Sequence, residues 1–459
     1  MSEDGKRAAE AKMREADVAE AAVRTFGHYY DQLVAGETGM LPDAELEPVR
    51  DLPTFAALDD GGDDDALDRA VVVKLNGGLG TSMGMTRAKS LIEARDGLSF
   101  LDVVARQTLA LRRRHGVRLP LVLMHSFHTQ ADSLAALERY PDLPADVPLD
   151  FVQNQEPKLL ADDLQPVSWP QQPALEWCPP GHGDLYTALL TSGMLEALRD
   201  RGYEYAFVSN VDNLGAVLEP RILRWFATEQ IPFLMEVVVG TESERKGGHL
   251  ARRRADGQLV LRESAQVPDA DEDSFRDFRR WRSYNTNNLW VNLHALAGVL
   301  EGNDGVIELP LIVNRKTVDP GDASTPAVVQ LETAMGAAVG TFAGAQAIEV
   351  PRARFAPVKT TNDLLVLRSD AYGLSDEARV GLTSGREGPP YVDLDPDHFK
   401  LLRDFDARFP AGPPSLAAAE RLVVRGDVTF GRDVVVEGAA EVEAADGART
   451  VDDGARLGG

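Results

Sequence analysis

The 459 residues carry 48 lysines and arginines against 73 aspartates and glutamates, a net charge of −25. Such a balance excludes nucleic acid as a partner, because phosphate-backbone binding needs a basic footprint, and it repels anionic membrane surfaces. A single cysteine, Cys178, excludes an intramolecular disulfide framework; with no apolar run of signal-peptide or membrane-span length, the expected location is a reducing cytoplasm.

Length predicts two to three domains. Glu3 to Leu33 has helical composition, with apolar positions at Val18, Ala22 and Phe26, and Asp51–Asp68 then reads as an acidic linker. These make an N-terminal helical segment over 1–69. At Ala70 the texture changes. Val71-Val-Val-Lys-Leu75 is a β-branched run that ends in Asn-Gly-Gly, the pattern of a buried strand feeding a loop. A helix is predicted over Phe100–His115, a strand over Leu119–Met124, a helix over Thr129–Arg139 and a strand over Leu149–Gln153. Further strands fall at Tyr205–Ser209 and Phe233–Val239. This alternation predicts an α/β domain over 70–410 with a mixed, mostly parallel sheet. Ligands bind beyond the carboxyl ends of such strands, where the Gly77 loop and Ser209-Asn-Val-Asp-Asn213 both fall. From 411 to 459, β-branched runs separated by Gly-Asp and Arg-Asp turns predict a few stacked β-helix coils with a frayed acidic tail.

The loop Leu75-Asn-Gly-Gly-Leu-Gly-Thr-Ser-Met-Gly84 suits a phosphate, since glycines let the backbone approach an anion closely. A Walker loop needs Gly-Lys-Ser/Thr, but here Lys89-Ser90 follows Ala88. A dinucleotide fingerprint needs G-x-G-x-x-G, and Gly78-Leu-Gly-Thr-Ser-Met-Gly84 is one residue too long. Strand, then Gly-Gly-x-Gly-Thr, then a lysine is the nucleotidyltransferase pattern, and it fits.

Lys74-Leu-Asn-Gly-Gly-Leu-Gly-Thr-Ser-Met-Gly84 resembles the signature of the eukaryotic-type UTP–glucose-1-phosphate uridylyltransferases. The likeness continues in Leu121–Phe127, Pro179-Pro-Gly-His-Gly-Asp184, Val208–Gly215, Lys246-Gly-Gly and Ala265–Pro268. It runs on through Tyr284-Asn-Thr-Asn-Asn-Leu-Trp290, Ile312-Val-Asn, Gln330–Ala334, Pro351–Phe355, Pro357-Val-Lys-Thr-Thr361 and Gly426–Gly431. The resemblance implies a Rossmann-like nucleotidyltransferase domain, a left-handed β-helix at the C-terminus, self-association through that helix, and a reversible Mg²⁺-dependent transfer of UMP from UTP to glucose 1-phosphate. Where members of the family carry Cys-Lys-Gly-Pro-Lys-Ser, this chain has Met85-Thr-Arg-Ala-Lys-Ser90, so Thr86 replaces the first lysine and Arg87 stands beside it.

The attacking phosphate is already ionised, so the difficulty is to bring two anions together and to spread transition-state charge. The chain has only nine lysines. By resemblance, Lys89 reaches the nucleotide phosphates, Lys359 bridges the α-phosphate and the sugar phosphate, and Asp212 holds Mg²⁺ as a hard oxygen ligand. Leu75, Asn76, Gly77 and Gly78 are the nucleotide loop, with Gln155 and Gly181 reading uracil and Gln153 as the competing choice. His182, Asn210, Glu263, Asn287 and Asn288 are the implied sugar contacts, and Trp290 is expected in the core. Lys246 and Lys316 are as well explained by surface ion pairs. His125-x-x-His128 lacks a third ligand and predicts no zinc site. Two rivals stand beside this reading. One is a pyrophosphorylase for N-acetylglucosamine 1-phosphate or a broad range of sugars, against which Asn76 and Ser82 speak. The other is a non-catalytic nucleotide-sugar sensor, against which the joint presence of Lys89, Asp212 and Lys359 speaks.

Overall fold

A computed structural model describes residues 2–37, 39–61, 65–383, 385–386, 388–445 and 447–459. The strand Ala70–Asn76 is buried along its whole length. Its side chains alternate between two cores: Val72 joins Leu121, Leu123 and Phe207 on one face, while Val71, Val73 and Leu75 join Val122, Met124 and Val208 on the other. Both faces of the sheet are therefore covered, which is why this strand reads as a continuous apolar run. Helices Phe100–His115 and Pro220–Thr228 cover the first face, and Leu185–Thr191, Met194–Asp200 and Leu293–Gly302 cover the second. Fully burying one such Val or Leu side chain contributes about 1.5–3 kcal/mol.

The sheet has ten strands. Tyr205–Asn210, Ala70–Asn76, Leu121–His125 and, at one edge, Asp150–Val152 run parallel. Beyond Tyr205–Asn210 the direction alternates, through Ser283–Asn292, His249–Arg253 and Leu46–Pro48. Phe233–Val239 pairs antiparallel with Ser283–Asn292 and parallel with Gln346–Glu349. The expected mixed, mostly parallel α/β sheet is thus present in the central part, with an antiparallel flank that periodicity does not distinguish. The helix Phe100–His115 is held by a capping box between Ser99 and Asp102, and ends at Gly116 in the left-handed region, φ 67°.

Two helices, Ser2–Glu15 and Glu20–Ala35, pack at the N-terminus. They rest on a small sheet of Ile312–Thr317, Ala327–Glu332 and Leu159–Leu160. The N-terminal segment is not self-contained, because Leu46–Pro48 is the edge of the main sheet. Of the acidic stretch expected as a linker, residues 62–64 lie outside the described residues; Thr54 bridges to Glu349, and Asp60 pairs with Arg221 at 3.0 Å.

At the C-terminus Tyr391–Leu394, Ser415–Arg425, Val435–Glu443 and Arg456–Gly458 stack in parallel, and Val428–Phe430 pairs with Arg449–Val451. Two expectations change here. The parallel strands begin ahead of residue 411, at Tyr391, and the tail expected to fray supplies the last of them, Arg456–Gly458, because each short strand buries its apolar side chains only against the next.

Candidate active site

The glycine strand delivers Gly77 to the carboxyl end of the parallel strands, and the loop folds back on itself. The Met83 and Met85 N–H groups both donate to the Gly80 carbonyl, and the Lys89 N–H donates to the Gly78 carbonyl at 3.0 Å. This return brings Lys89 beside its own loop. A Cβ added at Gly78 would meet nothing within 4 Å. The fold therefore does not need glycine there, and the open space suits a ligand that lies against the backbone. At Gly77 a Cβ would come 3.4 Å from Gln153 Oε1, so the Gln153 carboxamide sits over the loop.

Asp212 follows the neighbouring strand, Tyr205–Asn210, whose Asn210 is in register with Leu75. The Lys89 ammonium meets Asp212 Oδ2 at 2.6 Å, and each side chain is less than one fifth exposed. The segment that carries Lys359 is tied to the same place. The Val358 N–H donates to the Asp212 carbonyl at 3.2 Å, and Asn213 bridges to Pro357. Lys359 itself is exposed. Its N–H and that of Thr360 both donate to Asp363 Oδ2 at 2.8 Å, closing a capping box that starts the helix Thr361–Arg368.

Across from these cations lie the expected sugar contacts. Burial pushes the Glu263 carboxyl above the ordinary range, opposed by the charge of Lys359 and a hydrogen bond from Asn285. A β-bulge shapes the neighbouring strand. Between Met235 and Val237 the register against Ser283–Asn292 shifts, and Asn287 adopts a left-handed φ of 57°. Its Oδ1 accepts from Asn285 Nδ2 at 2.8 Å. The loop of His182 closes from the side. Its Nδ1 accepts from the Met335 N–H at 3.0 Å, and burial lowers the ring's pKa, so neutral imidazole carries its proton on Nε2. Gly181, at φ 79°, would bring a Cβ within 2.7 Å of the Thr333 carbonyl oxygen, and a Cβ on Gly183 would overlap Thr333 Oγ1.

The structure thus gathers Gly77, Gly78, Gln153, Lys89, Asp212 and Lys359 at one end of the sheet, with Asn210 among them and His182, Glu263 and Asn287 placed as above. Three expected contacts stand elsewhere. The Asn76 side chain is buried and donates to Ser133 Oγ at 2.9 Å. Gln155 borders a small cavity beneath the N-terminal helices, together with Phe26, Tyr29 and Asp184. Asn288 is 0% exposed, with its amide committed to Glu236 and Asn213; the bulge turns it inward as it turns Asn287 out. Trp290 is fully buried, as expected, while Lys316 pairs with Glu332 and Arg87 with Asp132.

Sequence reasoning missed the polar layer beneath the site. Lys74 is fully buried; its ammonium donates to Ser209 Oγ at 2.7 Å and to the Ala216 carbonyl at 2.6 Å. Burial, and then the nearby Arg354 charge, bring its pKa down to about 7. Glu236, Arg354, Asn213 and Asn285 went unassigned as well. One signal was available: a lone glutamate inside Phe233-Leu-Met-Glu-Val-Val-Val239 is a buried charge, and a buried charge needs partners.

Residues 23–437 match the family model described as UTP–glucose-1-phosphate uridylyltransferase. An enzyme of that name from Solanum tuberosum is 42% identical over 393 residues, 85% of this chain and 80% of the relative. A crystal structure of UDP-glucose pyrophosphorylase from Leishmania major in complex with UDP-glucose superposes with a TM-score of 0.95 at 46% identity, covering 99% of this chain and 98% of that one. A protein from Trypanosoma brucei, described as UDP-glucose phosphorylase, gives 0.92 at 42% identity, covering 99% of this chain and 98% of that one. Among the described residues no helix is long and apolar enough to cross a membrane.

Proposed function

Because the chain belongs to the UTP–glucose-1-phosphate uridylyltransferase family, we propose that the Lys89–Asp212–Lys359 constellation is where it transfers UMP from UTP to glucose 1-phosphate, giving UDP-glucose and pyrophosphate. An oxygen of the sugar phosphate bonds to the α-phosphorus as the bond from that phosphorus to the bridging oxygen of pyrophosphate breaks. No strong base is required, since a phosphate monoester is mostly ionised at neutral pH. The protein's task is positioning and neutralisation.

The glycine loop lets the nucleotide lie against the backbone of Gly77 and Gly78, with Gln153 reading the uracil edge in preference to Gln155. Lys89 serves the nucleotide phosphates. Lys359, whose exposed side chain is free of the packed core, bridges the α-phosphate and the sugar phosphate. Glu263, Asn287, Asn210 and His182 orient the sugar. The donor set fits Mg²⁺, which takes one or two protein carboxylates and otherwise binds phosphate and water: Asp212 supplies that one carboxylate. When bound, the ion neutralises phosphate charge. Reversibility, a left-handed course for the C-terminal coils, self-association through them and a cytoplasmic location belong to the same proposal.

The observation that carries this reading is the 2.6 Å pairing of Lys89 with Asp212 at the carboxyl end of two parallel strands, with the Lys359 segment hydrogen-bonded to the same aspartate. Pyrophosphate release, measured with UTP, Mg²⁺ and a panel of sugar 1-phosphates, tests it. Glucose 1-phosphate should be the best acceptor, and Lys359→Ala should cut kcat/KM by roughly 100-fold or more with an unchanged Tm. Near-normal turnover in that variant sinks the assignment.

A further inference from the structure

Glu236 lies on the strand Phe233–Val239 and is 0% exposed. Its two oxygens accept four hydrogen bonds: from Arg354 Nη2 at 2.6 Å, Arg354 Nε at 2.8 Å, Asn288 Nδ2 at 2.9 Å and Trp290 Nε1 at 3.0 Å. Such saturation is what a buried carboxylate requires, and it fixes every partner in one place. The partners lead to the site by two routes that meet at Asn213. Asn213 Nδ2 donates to Asn288 Oδ1 at 3.1 Å and to the Arg354 carbonyl at 3.2 Å, and its Oδ1 accepts from the Ala356 N–H at 2.9 Å.

Asn213 is the residue after Asp212, and Arg354 to Ala356 is the chain that arrives at Lys359. The contact between the two segments is close as well: a Cβ on Gly215 would overlap the Ala353 carbonyl oxygen. The two segments touch directly through the Val358 N–H on the Asp212 carbonyl and the Asn213–Pro357 bridge, a contact too short to be a sheet ladder. The polar layer braces it from beneath.

We propose that Glu236 is a positioning residue of the reaction: through Arg354, Asn288 and Asn213 it sets Lys359 against Asp212. The inference rests on the roles given above to Lys359 and Asp212. It assigns a kinetic role to a carboxylate that the network keeps out of reach of any substrate. Replacement by glutamine keeps the shape but turns an NH₂ toward a guanidinium donor, loosening Arg354 and the segment behind it. Displacement of a catalytic group by about 1 Å costs up to ~100-fold in rate.

The test is a double-mutant cycle on kcat, with Tm recorded for every protein. Glu236→Gln should lower kcat by about 10-fold or more while the KM for UTP stays near wild type, because the glycine loop is untouched. In a Lys359→Ala background the same substitution should cost little further, whereas in a Gly78→Ala background it should cost its full factor. If Glu236→Gln does not fold, Asn213→Ala replaces it, since that change cuts the tether and leaves the Glu236–Arg354 pair in place. Folded variants with wild-type kcat, or equal losses with and without Lys359, overturn the inference. Wild-type turnover of Lys359→Ala overturns instead the reading beneath it.

Discussion

Glycine at a given position can be demanded by neighbouring atoms or by a ligand, and Gly183 and Gly78 separate the two demands. At Gly183 a Cβ would overlap Thr333, so alanine must push the His182 loop off its neighbour. At Gly78 a Cβ would project into open space, so alanine leaves the fold alone and obstructs only what binds there. Gly183→Ala should therefore lower Tm measurably, reflecting the ~1–3 kcal/mol loss of stability typical of overpacking. Gly78→Ala should leave Tm within error and raise the KM for UTP, read in one thermal scan and one UTP titration per variant. A large Tm loss in Gly78→Ala would show that the loop's glycine serves the fold. The contrast also marks how far single residues were legible in sequence. Lys89, Asp212 and Lys359 stood in blocks that resemble the family's motifs, and that resemblance gave them their expected roles. Asn76 and Asn288 stood in motifs too, but strand burial and a bulge decide which way an amide points. Gln153 and Gln155 lie two apart and differ only in what the chain does after the strand Asp150–Val152 ends.

Among elements, those with a clean apolar period were read closely. The strand Ala70–Asn76, the helix Phe100–His115 and the strand Phe233–Val239 lie where the pattern put them. Ser283–Asn292 was missed as a strand because Tyr284-Asn-Thr-Asn-Asn is polar where the bulge turns it toward the site, and alternation fails across a bulge. Helical composition over Glu3–Leu33 was legible, but not its division into Ser2–Glu15 and Glu20–Ala35, nor what the second helix holds. The Tyr29 hydroxyl, buried, donates to the Ile307 carbonyl at 3.0 Å and accepts from the Leu309 N–H at 3.1 Å. One side chain thus satisfies two backbone groups of the segment it covers. Tyr29→Phe takes the hydroxyl away from both buried groups, at about 1–3 kcal/mol for each group left without a partner. A denaturant titration should show the midpoint falling with little change in slope, and hydrogen exchange should rise first around residues 307–309. An unchanged midpoint would mean that water reaches those groups and that the helix docks by apolar contact alone.

For the whole molecule, a net charge of −25 frames where protons sit. Most acidic side chains are exposed, but Asp184 is buried beneath the N-terminal helices, and burial raises its carboxyl from 3.8 to about 7 against two hydrogen bonds from Asn154. Glu156, lining the same small cavity, is pushed well above the ordinary carboxylate range by burial and then by the charge of Asp184. A carboxyl whose folded pKa is raised favours the protonated native state. Between pH 3.8 and about 7 the unfolded chain has released that proton while the native one retains it, so this group's contribution falls as pH rises through the window and is flat above it. The whole loss across that window is at most about 4 kcal/mol. Asp184→Asn removes the titration and keeps the shape, at a hydrogen-bond cost that does not depend on pH. The difference in Tm, variant minus wild type, should therefore climb steadily from about pH 4.5 to about pH 7 and then level off. A difference independent of pH would mean that Asp184 is ionised throughout, with the N-terminal helices resting on a charged cavity instead of a neutral one.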